Sequence, residues 1–212
     1  MASIPLKPQY GPTLGKLLEP RWRSATLTAR VLTVAALLGL LAVAIGVALA
    51  LLDSSYSQGG RVPFSFKYRG LYRTATEPGD YVTLVRTSHG LLDDSFSVAP
   101  LALPPYRGQA SGELPLFASG YTAALARRFP RFRLEGEGKT RISSTLSGYD
   151  VLYSALVDGR TMYGRNVMLL PGGHGVRKGV VLEMLSSEPA TISLPVASSG
   201  VLETPLKTFS FG

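Results

Sequence analysis

The longest apolar run in the chain extends from Val31 to Leu52, 22 consecutive residues without a charge. At about 1.5 Å per helical residue it reaches roughly 33 Å, enough for a hydrocarbon core about 30 Å thick, and so predicts one membrane-spanning helix. Beyond residue 60 the apolar runs become short. Phe64-Ser-Phe-Lys-Tyr68 alternates apolar and polar positions, as a half-buried strand does, and the stretches from Tyr81 to Thr87 and from Ser95 to Leu103 are rich in β-branched and aromatic residues. Pro100 marks the latter as an edge strand or one that ends early. Between Glu113 and Phe129 the period lengthens: Leu114, Phe117, Tyr121, Leu125 and Phe129 share one helix face, Pro115 suits the first turn and Pro130 the stop. Strand patterns return over Arg131 to Ser143, Tyr149 to Val157, Met162 to Leu170 and Gly179 to Ser186, with Asp158-Gly159 as a hairpin turn between the second and third. Pro195 and Pro205 oppose a continuous helix in the tail, 190–212.

This order predicts an α+β fold, with one transmembrane helix followed by an antiparallel-sheet domain covered by helices. The expected divisions are a basic cytoplasmic arm over 1–30, the transmembrane helix over 31–52, a Ser/Gly-rich linker over 53–60 and an extracytoplasmic domain over 61–212. Charge sets the direction. Of the formal +8, residues 1–30 supply a net +4, from Lys7, Lys16, Arg21, Arg23 and Arg30 against Glu19, whereas 53–60 contains no Lys or Arg. The positive-inside bias then puts the N-terminus in the cytoplasm and the C-terminal domain outside a single-pass cell membrane protein. Ala48-Leu49-Ala50 fits a signal-peptidase pattern, but the apolar segment exceeds the usual 7 to 15 residues of a signal core, which favours retention. Ala35, Gly39, Ala42, Gly46 and Ala50 place small residues along one helix face, a packing face in a membrane.

No cysteine is present, which removes disulfides, thiolate nucleophiles and cysteine metal sites. His89 and His174 belong to no spaced ligand pattern, and no metal or cofactor is expected. Neither a G-x-S-x-G elbow nor an S-x-x-K pair occurs, so the chain reads as non-enzymatic. Pro171-Gly-Gly-His-Gly175 lacks the Lys-Ser/Thr of a phosphate loop and reads as a connection between strands. Glu135 and Glu137 would share one strand face, about 7 Å apart, which is compatible with a cation site and equally with an ordinary solvated face. No aromatic-interleaved basic stripe points to nucleic acid. Arg127, Arg128, Arg131 and Arg133 form the densest basic cluster outside the arm and are candidates for contact with an anionic lipid or wall surface.

The opening Phe64-Ser-Phe-Lys-Tyr68, a middle helix carrying Tyr121, the run Gly148-Tyr-Asp-Val-Leu-Tyr153 before a hairpin, and the closing Lys207-Thr-Phe209 resemble the Mog1/PsbP-type α/β/α sandwich over residues 62–212. The chain has Arg69-Gly-Leu-Tyr72 where members often carry Pro-x-x-Trp. The resemblance implies a non-enzymatic accessory, assembly or partner-binding module, and it carries no catalytic residue across.

The leading expectation is a membrane-anchored interaction domain of the cell envelope with a protein partner. The alternatives are a module for a lipid or small apolar ligand, held in a cavity lined by Tyr121, Leu125, Tyr153 and Met184, and an enzyme of unrecognised type. Reversing all four charges at Arg127, Arg128, Arg131 and Arg133 should weaken sedimentation with anionic phospholipid vesicles. Unchanged binding would remove the basic cluster as a lipid contact.

Overall fold

The computed structural model describes residues 26–51, 53–76, 78–105, 110–172 and 176–212, without the side chains of 29–30, 44–51 and 110–111. The chain divides into two units, Met1–Leu51 and Leu52–Gly212. In the first, helix α1 covers Leu27–Leu51. The expected transmembrane helix over 31–52 is corrected here: among the described residues no helix is long and apolar enough to cross a membrane. On α1 the side chains from Val31 to Val43 are all exposed. Ala35, Gly39 and Ala42 lie on that stretch, and a Cβ at Gly39 would meet nothing within 4 Å. The side chains of Gly46 and Ala50 lie outside the described residues.

The second unit begins earlier than expected. Residues 53–60 were expected as a linker, yet Ser54–Gln58 form strand β1, paired antiparallel with β2, Phe64–Tyr68. Tyr56 supplies the reason, since its ring sits 5.4 Å from that of Phe66 and its hydroxyl donates to the Tyr81 carbonyl. One aromatic residue gives a serine-rich segment something to bury. The remaining elements are β3, Tyr72–Arg73; β4, Val82–Ser88; β5, Leu91–Ala102; α2, Ala110–Arg128; β6, Arg133–Arg141; β7, Ser147–Val157; β8, Arg160–Leu169; β9, Lys178–Ser186; α3, Glu203–Lys207; and β10, Ser210–Phe211. Strands β1, β2 and β10 make a small sheet, and the other seven form an antiparallel sheet in the order β3-β4-β5-β9-β8-β7-β6.

Two tight hairpins set register in the large sheet. His89 and Gly90 (φ 52° and 79°) join β4 to β5, and Asp158 and Gly159 (φ 50° and 78°) join β7 to β8. Paired positive φ values give the turn a twist that matches the flanking strands. Pro100 neither ends β5 nor puts it at an edge, because β5 lies between β4 and β9. The Tyr81 amide donates to the Val98 carbonyl, while the Leu103 amide donates to the Arg177 carbonyl beyond β9. Even positions of β5 therefore turn their backbone groups toward β4. Pro100 lies past the last β4 pair, Val82 with Val98, so its missing N–H costs no ladder bond.

Each face of the large sheet is covered differently. On one, Val82, Leu84, Phe96, Val98, Leu182 and Met184 pack against Phe64, Phe66 and Phe209, beneath the small sheet and the tail. On the other, Leu114, Ala118 and Leu125 of α2 pack on Leu101, Tyr149, Val151, Tyr153, Met168 and Val181. The tail is held to the first face by Arg165 of β8, whose guanidinium donates to Asp150 Oδ2 at 3.0 Å, to Thr140 Oγ1 at 3.1 Å and to the Val196 carbonyl at 3.3 Å. Arg165 and Asp150 have side chains only 9% and 14% exposed. Removing the cation leaves a nearly buried carboxylate without its partner. Arg165→Leu should therefore cost about 3 kcal/mol in urea unfolding and speed amide exchange around Val196; an unchanged midpoint would mean that the pair contributes nothing net.

Candidate functional site

Helix α2 lies over β7 and β6. The same face of β4 and β5 carries Thr83, Val85, Ser95 and Ser97, and beyond the C-terminal end of α2 a cleft of about 300 Å³ opens over them. Its floor is Thr83, Val85, Ser95 and Ser97, and Glu183 and Leu185 of β9 form the side next to the helix. Arg128, Phe129, Tyr153 and Val157 close one end, and Thr74 and Asp80 border the other. The lining combines four serine and threonine side chains, the Tyr153 phenol, two carboxylates and a guanidinium with an aromatic and aliphatic surface. Thr83 Oγ1 is buried and meets no hydrogen-bond partner in the protein.

The wall shared by helix and cleft is a polar network. Tyr121 of α2 donates to Glu183 Oε1 at 2.5 Å, and Asn166 Nδ2 of β8 donates to the Tyr121 hydroxyl at 2.8 Å. Asn166 is wholly buried. Tyr153 lies beside them, its ring 6.1 Å from that of Phe129 and 5.3 Å from that of Phe132. Gly164, its cross-strand neighbour, makes room for it: a Cβ there would fall 2.1 Å from the tyrosine ring. Burial, and after it the Glu183 carboxylate, pushes the Tyr121 hydroxyl far above the ordinary tyrosine value. At Tyr153 burial again dominates and Glu183 adds to it, while Arg128 opposes the shift.

A second surface lies at the opposite edge of the sheet. Strand β6 is the last in the order, so one side of its backbone faces no strand. Beside it the tail presents Ile192 and Leu194, each 68% exposed, and Ile192 would lie 3.5 Å from a Cβ at Gly136. Leu134 of the same strand is also exposed.

The residues singled out from sequence are distributed over both faces and both ends. Arg127 and Arg128 end α2, Arg131 occupies a turn with φ 50°, and Arg133 opens β6; all four are exposed. Arg128 stacks over the Phe129 ring at 5.2 Å, and Arg133 pairs with Glu135 at 3.5 Å. Tyr121, Leu125 and Tyr153 belong to the helix side, but Met184 packs on the opposite face, so the four do not line one cavity. The β9 register explains this: Val181, Glu183 and Leu185 face the helix side, and Val180, Leu182 and Met184 face away. Glu135 and Glu137 do not share a strand face either. A bulge between Leu134 and Gly136 turns Glu135 to accept from Ser154 and leaves Glu137 beside the Tyr149 hydroxyl. His89 sits at a hairpin tip, and His174 lies outside the described residues. Sequence reasoning missed Thr83, Ser95, Ser97, Asn166 and Glu183. The available signal was Glu183 itself, a charge within the apolar run Val180-Val-Leu-Glu-Met-Leu185.

No family model matches the chain, and no curated protein matches it. Solved structures do. The chain is similar to LpqN of Mycobacterium tuberculosis, a protein involved in cell envelope biogenesis, with 11% identity, 75% of this chain and 91% of LpqN covered, and a TM-score of 0.50. It is also similar to the Ran-binding protein Mog1p of Saccharomyces cerevisiae, with 8% identity, coverage of 75% and 95%, and a TM-score of 0.48. The fold is Mog1/PsbP-like. The sandwich expected from Phe64–Tyr68, the Tyr121 helix and the Gly148–Tyr153 run is therefore present, with the second cover built from a small sheet, the tail and the short α3.

The two buried tyrosines give the site a pH signature. Their folded-state values lie above the unfolded value of about 10, so the unfolded chain loses these protons first as pH rises. Stability should be insensitive to them below about pH 10 and fall above it. Thermal melts between about pH 9 and 11 should show a steeper decline in the native protein than in Tyr121→Phe; parallel declines would show that Tyr121 ionises as readily folded as unfolded.

Proposed function

We propose that residues 52–212 form a non-enzymatic accessory domain of the cell envelope, acting outside the cytoplasm by docking a protein partner along the β6 edge. The observation that carries this reading is the open side of β6 beside exposed Ile192, Leu194 and Leu134. An unpaired strand offers main-chain hydrogen bonds to an added strand, and adjacent apolar side chains supply the buried area that such pairing needs. The exposed Arg131 and Arg133 at its start favour a partner segment with acidic residues. Likeness in fold to LpqN, a protein of cell envelope biogenesis, supports the envelope setting.

A photo-crosslinking residue at Ile192 in the full-length protein, expressed in its native cells, should give one discrete protein adduct, and the same residue at Ser55 on β1 should give none. Ile192→Lys with Leu194→Lys should leave the melting temperature within a few degrees, since exposed substitutions cost little, yet reduce capture of that partner by more than about tenfold. Equal adducts from both positions, or capture unaffected by the double substitution, would refute the β6 edge as the docking surface. Protease added to intact spheroplasts should digest residues 52–212; complete protection would place the domain inside.

A further inference from the structure

The cleft beyond α2 is on the helix-covered face and plays no part in docking along β6. We infer that it is a binding site for a single neutral pyranose ring, either a free sugar or one unit of a glycan. At about 300 Å³ it stands at the lower limit of small-molecule pockets, which suits one small ring. A sugar ring has an apolar C–H surface and a rim of hydroxyls that both donate and accept. The lining has the complementary character. Val85, Leu185 and the Phe129 ring offer apolar surface, while Thr74, Thr83, Ser95 and Ser97 offer hydroxyls that can serve in either role. Glu183 supplies an acceptor held in place by Tyr121, and Arg128 supplies donors at the closed end.

Two further observations favour this ligand over a lipid chain. A fatty acyl tail would leave the hydroxyls of Thr74, Ser95 and Ser97 facing hydrocarbon, and each polar group buried without a partner weakens binding. Thr83 lines the cleft, and its buried hydroxyl meets no hydrogen-bond partner in the protein. A ligand hydroxyl arriving there satisfies a group that the fold itself does not. The Glu183 carboxylate in the lining disfavours an acidic sugar and selects a neutral one.

The test is saturation-transfer NMR on the full-length protein, with methyl α-glucopyranoside, methyl α-mannopyranoside and methyl α-galactopyranoside as probes, alongside maltotriose, 1,6-hexanediol and decanoate. At least one methyl glycoside should show transfer with a dissociation constant in the millimolar range. Thr83→Val and Glu183→Gln should each weaken it on the order of fivefold, as expected for loss of one hydrogen bond, and Ser193→Ala on the exposed tail should not. Thermal melts of the two cleft variants close to that of the native protein would attribute the loss to contact with the sugar. A stronger signal from maltotriose than from every methyl glycoside would identify a glycan unit as the source, and equal signals a free sugar. Transfer to hexanediol or decanoate without transfer to any glycoside, or glycoside binding indifferent to both cleft variants, overturns the inference. This outcome is separate from docking at β6, which is read by the Ile192 adduct.

Discussion

A single α-helix about 10 Å across cannot cover a seven-stranded sheet whose outer strands stand roughly 29 Å apart. That mismatch governs the arrangement of the whole domain. The face opposite α2 is closed by a broad cover of three strands, a short helix and the tail, so it can be apolar nearly throughout, and Phe64, Phe66 and Phe96 are among its fully buried side chains. On the helix side, the apolar surface follows α2. Where α2 lies, β7 presents Tyr149, Val151 and Tyr153; where it does not, β4 and β5 present Thr83, Ser95 and Ser97. The β-strand period of two lets one strand serve both demands, with Phe96 and Val98 of β5 beneath the small sheet and Ser95 and Ser97 on the opposite surface.

The elements that the sequence made legible are those in which periodicity and turn chemistry agree. Phe64–Tyr68 alternates cleanly, the Tyr121 helix repeats at three and four residues, and Asp158-Gly159 stands between two β-branched runs; all three appear in the structure at nearly the expected positions. The departures have identifiable physical causes. Strand β1 carries Ser54, Ser55 and Ser57, which do not announce a strand, and it forms because Tyr56 finds Phe66 and because β2 offers an unpaired side. Glu135 and Glu137 were spaced for one face, but a bulge, which inserts a residue without changing composition, sent them to two. The apolar run at 31–52 was read by its length, its lack of charge and the basic residues before it, yet among the described residues no helix is long and apolar enough to cross a membrane.

The cleft was the least legible feature because its residues come from several strands and a helix end, and none of them forms a local motif. Only register brings Thr83 opposite Ser97 and places Glu183 next to that pair. Met184 illustrates the same dependence. Grouped by hydrophobicity it belongs with Tyr121 and Leu125, but the pleat assigns it to the face of Phe96, one position away from the carboxylate that Tyr121 contacts. A shift of one residue in β9 would exchange the two environments, burying Glu183 among phenylalanines.

Glu183 therefore does more than border a cavity. A carboxylate beneath a helix is costly unless bonded, and here its bond comes from Tyr121 on the helix itself, with Asn166 supporting the same hydroxyl from β8. The helix is thereby fixed laterally at the line between the apolar and the hydroxyl-bearing halves of the sheet. Tyr153 fixes it lengthwise: with Gly164 leaving space at its ring and both Phe129 and Phe132 stacked on it, the segment that follows α2 is held against β7. Both restraints meet at the closed end of the cleft, where Phe129 and Tyr153 are themselves lining residues. A wall held by buried aromatic packing and a saturated hydroxyl loses little freedom when something binds against it, so the interactions that secure the helix also pre-organise the site.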